Sequence, residues 1–283
     1  MKIDLAFITH NRLEYTKLAL ASVLADPQEE FSLTIWDNAS TDGTDKYLKA
    51  EVKDPRIKQV ILSAENVGQI AAVNQIWSQS KADLVGKLDN DCLLTPGWTR
   101  TLGRAHADIS ELGVVACWHF FPEDFDFEKA RHKIQRFGQH QILRHPWTCG
   151  TGLLVKRSTY ERFGPIRGDG TTSYWIDLAK AGLVNGFYYP LVFQEHMDDT
   201  RSKHSRLRSM SFKEAFRFSP NARSEALEDL ENYRRLHERI IEVLLCGPYD
   251  PDYYSKCRGK WMYKRFKNFL KTPWTKINPR PHF

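Results

Sequence analysis

The first ninety residues alternate short apolar runs with amphipathic stretches, and this alternation constrains the fold more than any other feature. Apolar runs at 2–8, 31–36, 57–62 and 84–88 predict strands, and the stretches 12–25, 47–52 and 68–80 between them predict helices. In the first run apolar side chains occupy both faces, as in strands that helices cover on both sides. The pattern predicts an α/β fold with a mostly parallel central sheet flanked by helices.

The second half of the sequence is less regular. Residues 96–108, 173–182 and 223–245 predict helices, whereas 114–118, 149–155 and 185–189 predict strands. Residues 119–147 are rich in aromatic residues and histidine and lack a clear period, so we expect a long loop of the kind that often carries function. At the start of the first helix, Asn11 followed by Glu14 indicates a variant of the capping box.

Polar residues follow three of the predicted strands. They are Thr9-His10-Asn11, Asp37-Asn38 and Asp89-Asn90-Asp91. Ligands of parallel α/β sheets bind beyond the carboxyl ends of the strands. We therefore expect these three groups to converge on one crevice.

Asp89-x-Asp91, directly after an apolar strand, is the strongest chemical signal. Carboxylate oxygens are the ligands that Mg²⁺ and related hard cations prefer, and such ions bind phosphates in turn. The spacing therefore indicates a site for Mn²⁺ or Mg²⁺, with a solvated turn as the alternative. His196, after the last predicted strand, could complete the metal site; His204 is its alternative.

The segment Asp37 to Thr44 is the second signal. The Asp37 carboxylate could accept the imide N–H of uracil or thymine, or the N1–H of guanine. The alternative is that Asp37 and Ser40 cap the next helix. Both interpretations can hold together if Ser40 or Thr41 provides the cap.

Positive charge is concentrated at the C-terminus. The net charge is +6, yet Ser255 to Phe283 holds nine Lys or Arg and no acid, so the rest of the chain is slightly acidic. Aromatic residues alternate with these charges, and such a segment can lie on an anionic membrane surface or pack on the domain. We expect no nucleic-acid partner, because the body of the chain is not basic.

The five cysteines form no C-x-x-C pair, and an acid interrupts the short apolar run at the N-terminus. These features indicate neither a disulfide framework nor a signal peptide. No apolar stretch is long enough to span a bilayer. We expect a cytoplasmic protein that can associate peripherally with the inner face of a membrane.

Taken in order, several motifs resemble family 2 glycosyltransferases of the GT-A fold. They are Thr9-His10-Asn11-Arg12, Asp37-Asn38-x-Ser40-x-Asp42-Gly43-Thr44, Asn66-x-Gly68 with Asn74, Asp89-Asn90-Asp91, Gly150-Thr151-Gly152, Trp175-Ile176-Asp177 and His196. The resemblance covers roughly residues 1–200. It implies inverting, metal-dependent transfer of a sugar from a UDP-, dTDP- or GDP-linked donor to a hydroxyl, in cell-surface polysaccharide or glycolipid assembly.

The resemblance also implies roles for individual residues. Asp177 would be the catalytic base, although Ile176 stands where the family has a glutamate; Asp169, Asp198 and Asp199 are the alternatives. Asp91, Asp89 and His196 would form the metal site. The nucleotide-sugar site would comprise Thr9, Asn11, Arg12, Asp37, Asn38, Asn66, Gly68, Asn74, Asp89 and Asn90. The acceptor would meet Trp147, Gly150, Thr151 and Trp175.

Two other functions are alternatives to the glycosyltransferase. A nucleotidyltransferase would favour a glycine-rich phosphate loop after the first strand, where this chain has Thr9 to Leu13 and no glycine. A non-enzymatic nucleic-acid-binding protein would use the basic tail.

We expect a catalytic domain at 1–205, with a nucleotide-binding half at 1–95 and an acceptor half at 96–205. A helical, basic C-terminal extension would occupy 206–283.

Overall fold

A computed structural model describes residues 1–27, 31–168, 170–220 and 229–257. Its strands are β1 (Ile3–Thr9), β2 (Phe31–Asp37), β3 (Ile57–Leu62), β4 (Leu84–Asp89), β5 (Cys92–Leu94), β6 (Leu112–Ala116), β7 (Ile134–Phe137), β8 (His140–Arg144), β9 (Leu153–Lys156), β10 (Val184–Tyr189) and β11 (Gln194–His196). Its α-helices are α1 (Leu13–Leu24), α2 (Thr44–Ala50), α3 (Gln69–Gln79), α4 (Trp98–Asp108), α5 (Phe127–Ala130), α6 (Arg157–Phe163), α7 (Thr172–Lys180), α8 (Phe212–Phe218) and α9 (Leu230–Cys246).

The main sheet has the strand order β3-β2-β1-β4-β9-β6-β10-β8-β7. Strands β3, β2, β1 and β4 are parallel neighbours, and β6 and β10 are parallel to each other. Among the described strands of this sheet, β9 and β8 run against the others. The predicted α/β fold with a mostly parallel sheet is confirmed.

Two hydrophobic clusters cover the two faces of the sheet. On one face, Leu5 and Phe7 of β1 pack with apolar residues of α1 and α4. On the other, Ala6 and Ile8 pack with apolar residues of α3, α6, α7 and α9. Alternate residues of one strand thus enter different cores, which explains why β1 is apolar on both faces.

The parallel register aligns the ends of three strands. Thr9 lies opposite Asp37 in β2, and Ile8 lies opposite Asp89 in β4. The polar residues that follow these strands therefore leave the sheet at the same edge, as their positions in the sequence predicted.

The segment 119–147 differs from the predicted loop, because it contains the hairpin of β7 and β8. Gly138, with a φ of +58°, lies at its turn. β8 also pairs with β10 and so adds the hairpin to the main sheet. The sequence did not predict these short strands because polar residues interrupt the apolar ones in both of them.

The start of α1 also differs from the prediction. Asn11 and Arg12 adopt left-handed conformations, with φ of 55° and 64°, and the helix begins at Leu13. The Leu13 N–H donates to Asp42 Oδ2 at 2.8 Å. The first turn is therefore capped from another segment, and the Asn11 side chain instead accepts the N–H of Thr41 at 2.8 Å.

Residues after 205 pack against the preceding part of the chain. The Phe218 ring contacts the Tyr15 ring edge-on, and the Ser219 hydroxyl donates to Asp198 at 2.8 Å. Contacts therefore cross position 205, and the domain boundary there stays a prediction. Helix α9 overlaps the helix predicted over 223–245 and ends one residue beyond it, at Cys246. Residues 223–228 of that prediction lie outside the described residues, as does 258–283 of the basic tail. In the part of the chain described, no helix has both the length and the apolar character needed to cross a membrane.

Candidate functional site

A cavity of about 1320 Å³ opens at the carboxyl ends of β1, β2 and β4. Many residues that the sequence analysis selected lie together in its wall. They are Thr9, Asn11, Arg12, Asn38, Asn66, Gly68, Asp89, Asn90, Asp91, Gly150, Thr151 and His196. Residues that are far apart in the sequence thus meet at the edge of the sheet where ligands of such folds bind.

Asp37 and Asn74 have structural partners and are not among the described residues of the cavity wall. Asp37 is buried, and its carboxylate accepts both the backbone N–H and the hydroxyl of Ser40. The Asn74 amide donates to the Ile166 carbonyl at 2.8 Å and accepts the Ile166 N–H at 3.0 Å. Asp37 therefore caps the turn before α2, which is the alternative that the sequence left open.

Asp177, Trp147 and Trp175 also lie outside the described cavity wall. Trp175 is fully buried in α7, and the ring of Trp147 packs against His145 and Tyr254. Asp177 is exposed near the middle of α7, whereas Thr171 and Thr172, at the start of that helix, line the cavity. This placement does not support Asp177 as the base or the two tryptophans as direct acceptor contacts.

Asn90 fixes the end of β1 to the loop after β4. Its amide nitrogen lies 3.0 Å from the hydroxyls of Thr9 and Thr16 and from the Asn11 carbonyl. Because Asn90 lies between Asp89 and Asp91, these bonds hold the loop that carries both carboxylates.

Arg12 lies between two acids at the end of the cavity. Its Nη1 is 3.1 Å from Asp91 Oδ2, and its Nη2 is 2.8 Å from Asp198 Oδ1. Burial alone would raise the pKa of Asp91, but His196 and Arg12 lower it, so this carboxyl is ionised at neutral pH.

The small antiparallel sheet of β5 and β11 brings His196 to this group. His196 pairs with Cys92, the residue that follows Asp91. As a result, His196 Nε2 lies 3.7 Å from Asp91 Oδ2. Sequence analysis had placed both residues in the metal site, but this pairing joins segments about a hundred residues apart.

Asp91, His196 and Asp198 offer ligand atoms that all lie within 4.8 Å of one another. Two carboxylates and an imidazole suit a divalent ion such as Mn²⁺. One contact must change on binding, because the Asp198 N–H donates to His196 Nδ1 at 3.1 Å. A metal-bound imidazole normally carries its proton on the nitrogen that faces away from the ion. With that adjustment, the residues present fit the ion that the sequence predicted.

Asp89 does not join this group. Lys87, which is buried, donates to both Asp89 carboxylate oxygens at 2.5 and 2.6 Å. Burial raises the pKa of Asp89, and Lys87 opposes that effect. The geometry therefore assigns Asp89 to an ion pair within the cavity wall, where the sequence analysis had expected a metal ligand.

Several residues of the wall were missed by sequence analysis. His119 lies just after β6, and its ring centroid is 4.6 Å from that of His196. Arg206, Arg217 and Phe218 line the cavity from the C-terminal side. The position of His119 directly after an apolar strand was a usable signal. No sequence signal marked the two arginines, because they belong to the segment interpreted as an extension.

Solved structures of several glycosyltransferases share this fold. The mannosyltransferase PcManGT from Pyrobaculum calidifontis matches with a TM-score of 0.58 at 19% identity, over 95% of this chain and 83% of that one. GalNAc-T7 matches with a TM-score of 0.53 at 12% identity, over 69% of this chain and 44% of that one. S. aureus TarS 1-349 matches with a TM-score of 0.52 at 16% identity, over 77% of this chain and 65% of that one. No curated protein matches the sequence.

The sequence itself carries a more specific match. Residues 5–163, more than half of the chain, match the family described as Glycosyl transferase family 2. The match spans β1 to α6 and includes the three strand ends that meet at the cavity. It sets aside the nucleotidyltransferase and the nucleic-acid-binding protein as interpretations of the whole chain. The chain therefore belongs to glycosyl transferase family 2 and is a glycosyltransferase with the GT-A fold.

Proposed function

We propose that this protein transfers a sugar, with inversion, from a nucleotide diphosphate sugar to a hydroxyl of a saccharide or glycolipid. The observation that carries the proposal is the meeting of Asp91, His196 and Asp198 at one end of a cavity of about 1320 Å³. Solved structures with the same fold hold GDP-mannose with Mn²⁺, UDP with Mn²⁺, or UDP-GlcNAc. These ligands support a nucleotide-sugar donor without selecting its base or sugar.

In this proposal Asp91, His196 and Asp198 hold the divalent ion. When bound, Mn²⁺ or Mg²⁺ neutralises charge that develops on a departing diphosphate. Arg12 pairs with Asp91 and Asp198 and orients both carboxylates. Arg206 and Arg217 add positive charge on the C-terminal side of the same cavity, where it would favour the phosphates of the donor.

The acceptor hydroxyl would enter between Gly150-Thr151 and the start of α7. Gly170, Thr171 and Thr172 line this side of the cavity. A base must come within hydrogen-bond reach of the hydroxyl. Among the alternatives to Asp177, Asp198 is bound by Arg12 and Ser219, and Asp199 by Arg201. Asp169 lies outside the described residues but directly precedes Gly170, so we propose it as the base.

The experiment that tests the function is a panel of UDP-, dTDP- and GDP-sugars, with and without Mn²⁺. Donor hydrolysis and thermal stabilisation are the readouts. We expect one donor class to raise the melting temperature in a Mn²⁺-dependent way, and Asp91→Asn to abolish that effect. Asp252→Asn, an exposed acid outside the described cavity wall, is the matched control. Equal stabilisation of the folded Asp91→Asn variant would contradict the proposed donor site.

We also propose that the basic segment 256–283 associates with anionic membrane surfaces. Nine positive charges interleaved with aromatic residues support this. Tyr254 is buried and bonds His145, so a shortened chain should end at Cys257 to keep that contact. The full chain should co-sediment with anionic vesicles at low salt, and the shortened chain should not. Equal sedimentation of the two chains would refute the membrane role.

A further inference from the structure

Two groups of possible metal ligands meet at His196. One is the oxygen-rich group of Asp91, His196 and Asp198; the other consists of Cys92, His119 and His196. In the second group, too, the ligand atoms lie within 4.8 Å of one another. The family resemblance accounts for Asp91 and His196 as metal ligands but gives no role to Cys92 or His119.

We propose that Cys92, His119 and His196 bind one divalent ion such as Zn²⁺, with Asp91 as a fourth ligand. Binding of this ion excludes Mn²⁺ or Mg²⁺ from the oxygen-rich group, because the two ions would compete for His196 and Asp91. This choice of metal ion does not depend on the identity of the donor or acceptor.

The spacing of the ligand atoms suits a tetrahedral zinc ion. Zn–S bonds of about 2.3 Å and Zn–N bonds of about 2.0–2.1 Å place sulfur and nitrogen about 3.6 Å apart at the tetrahedral angle. Cys92 Sγ lies 4.0 Å from His119 Nδ1. It lies 3.5 Å from Asp91 Oδ1, to which the thiol donates. Shifts of a few tenths of an ångström in the side chains would therefore complete the site.

The chemistry of these ligands favours zinc over harder ions. A thiolate and two imidazoles are soft or borderline donors, whereas Mg²⁺ and Mn²⁺ prefer oxygen. For most sets of nitrogen, oxygen and sulfur ligands, Mn²⁺ is also the weakest binder of the first-row divalent ions. The thiol loses its proton to solvent when the ion binds, so the metal charge is partly neutralised by the sulfur.

Arg12 orients both carboxylates of the oxygen-rich group, but its charge also weakens their attraction for a metal ion and so strengthens the preference for the Cys92 group. Its guanidinium donates to Asp91 Oδ2 and to Asp198 Oδ1, so it already supplies positive charge to both carboxylates of the oxygen-rich group. An ion among those carboxylates would have to lie beside a guanidinium that cannot lose its proton. The sulfur of Cys92 lies beside Asp91 Oδ1, the carboxylate oxygen to which Arg12 does not donate.

A buried cysteine is usually a small apolar core residue, and Cys92 does pack within a hydrophobic cluster. Cys117 provides the comparison. It is equally buried, but among the described residues it belongs to no group of possible metal ligands. Cys92 differs from such a core residue because its sulfur lies close to His119 and to the Asp91 carboxylate.

The test uses Co²⁺ as a spectroscopic substitute for Zn²⁺, added to the metal-free full chain. We expect a sulfur-to-cobalt charge-transfer band in the near ultraviolet and intense visible bands of four-coordinate Co²⁺, saturating at one ion per chain. Cys92→Ser should remove the charge-transfer band, whereas the matched Cys117→Ser should keep it. Zn²⁺ should bleach the cobalt spectrum and release bound Mn²⁺, as followed by electron paramagnetic resonance.

His119→Gln provides a second variant in case Cys92→Ser fails to fold. It should keep the charge-transfer band but weaken Zn²⁺ binding by at least the roughly 10–100-fold that loss of an outer-shell partner costs. A weak spectrum of six-coordinate Co²⁺ in the wild type, or a charge-transfer band that survives Cys92→Ser, would overturn the proposal. So would Mn²⁺ that stays bound when Zn²⁺ saturates the protein. These readouts need no sugar transfer, so they stand whether or not the proposed reaction is found.

Discussion

Arg12 and Asp198 are 186 positions apart in the sequence, yet Arg12 Nη2 donates to Asp198 Oδ1 at 2.8 Å in the interior of the protein. Both side chains are buried. The pair joins the turn after β1 to the segment after β11, and the Ser219 hydroxyl binds the other oxygen of Asp198. The end of the cavity is therefore held together by polar groups from three distant parts of the chain.

Loss of one member of this pair should destabilise the folded protein, because it leaves a buried charge without its partner. We expect Arg12→Met to lower the free energy of unfolding by about 3–5 kcal/mol. The double variant Arg12→Met/Asp198→Asn should cost less than the sum of the two single variants. Urea denaturation measures all three, with Arg234→Met as the control for an exposed pair with Glu238, worth at most about 1 kcal/mol. Additive costs would show that the two residues do not stabilise each other.

Arg206 and Arg217 should contribute to binding of the donor phosphates. Because both are exposed, we expect Arg206→Gln and Arg217→Gln each to weaken nucleoside diphosphate binding roughly two- to five-fold at low salt. Binding of the uncharged nucleoside should not change. Isothermal titration calorimetry at two salt concentrations tests this, with Arg208→Gln as the control from the same segment. An equal loss with nucleoside and diphosphate would point to a role other than phosphate binding.

Variants of two acids test which residue is the base: Asp177 in α7, and Asp169, eight positions earlier in the sequence. Asp177 is exposed and lies outside the described wall of the cavity, so Asp177→Asn should transfer sugar at nearly the wild-type rate. Asp169→Asn should bind the donor normally while transfer falls by roughly 10²–10⁴-fold, the usual contribution of a positioned base. Single-turnover rates and donor affinities separate the two effects. The opposite outcome would return the role to Asp177.

His106 should make stability depend on pH. This residue of α4 is buried, and burial lowers its pKa to about 3, although its Nε2 is 3.0 Å from the Leu154 carbonyl. The unfolded chain therefore binds a proton that the folded chain does not, over the range from about pH 6.5 down to about pH 3. Stability from this residue is complete above pH 6.5 and is lost as the pH falls.

The variant His106→Gln isolates this effect. Its free energy of unfolding should fall less steeply between pH 7 and pH 5 than that of the wild type, by up to about 1.4 kcal/mol per pH unit. Urea denaturation at several pH values measures the slope. His132→Gln, an exposed histidine, should leave the slope unchanged. Parallel curves for wild type and His106→Gln would contradict the assignment.

Much of the fold followed from the sequence because it depends on local periodicity. The apolar runs that became β1 to β4 and the helices between them were predicted from patterns a few residues long. Polar residues after three of these strands also predicted the edge of the sheet that forms the cavity. That inference holds because parallel strands end on the same side, whatever the details of their packing.

Other features depended on contacts that no local pattern reveals. Asp37 ends β2 and Asp91 follows β4, yet Ser40 binds the first carboxylate, whereas Arg12 and His196 lie beside the second. The sequence showed that His196 could be a ligand, but only the pairing of β5 with β11 places it beside Asp91 and Cys92. Arg206 and Arg217 reach the cavity because the segment after 205 folds back on α1. Residue types and spacing thus determined the α/β scaffold and the edge of the sheet at which the cavity forms. Long-range packing decided which polar groups at that edge bind one another and which line the cavity.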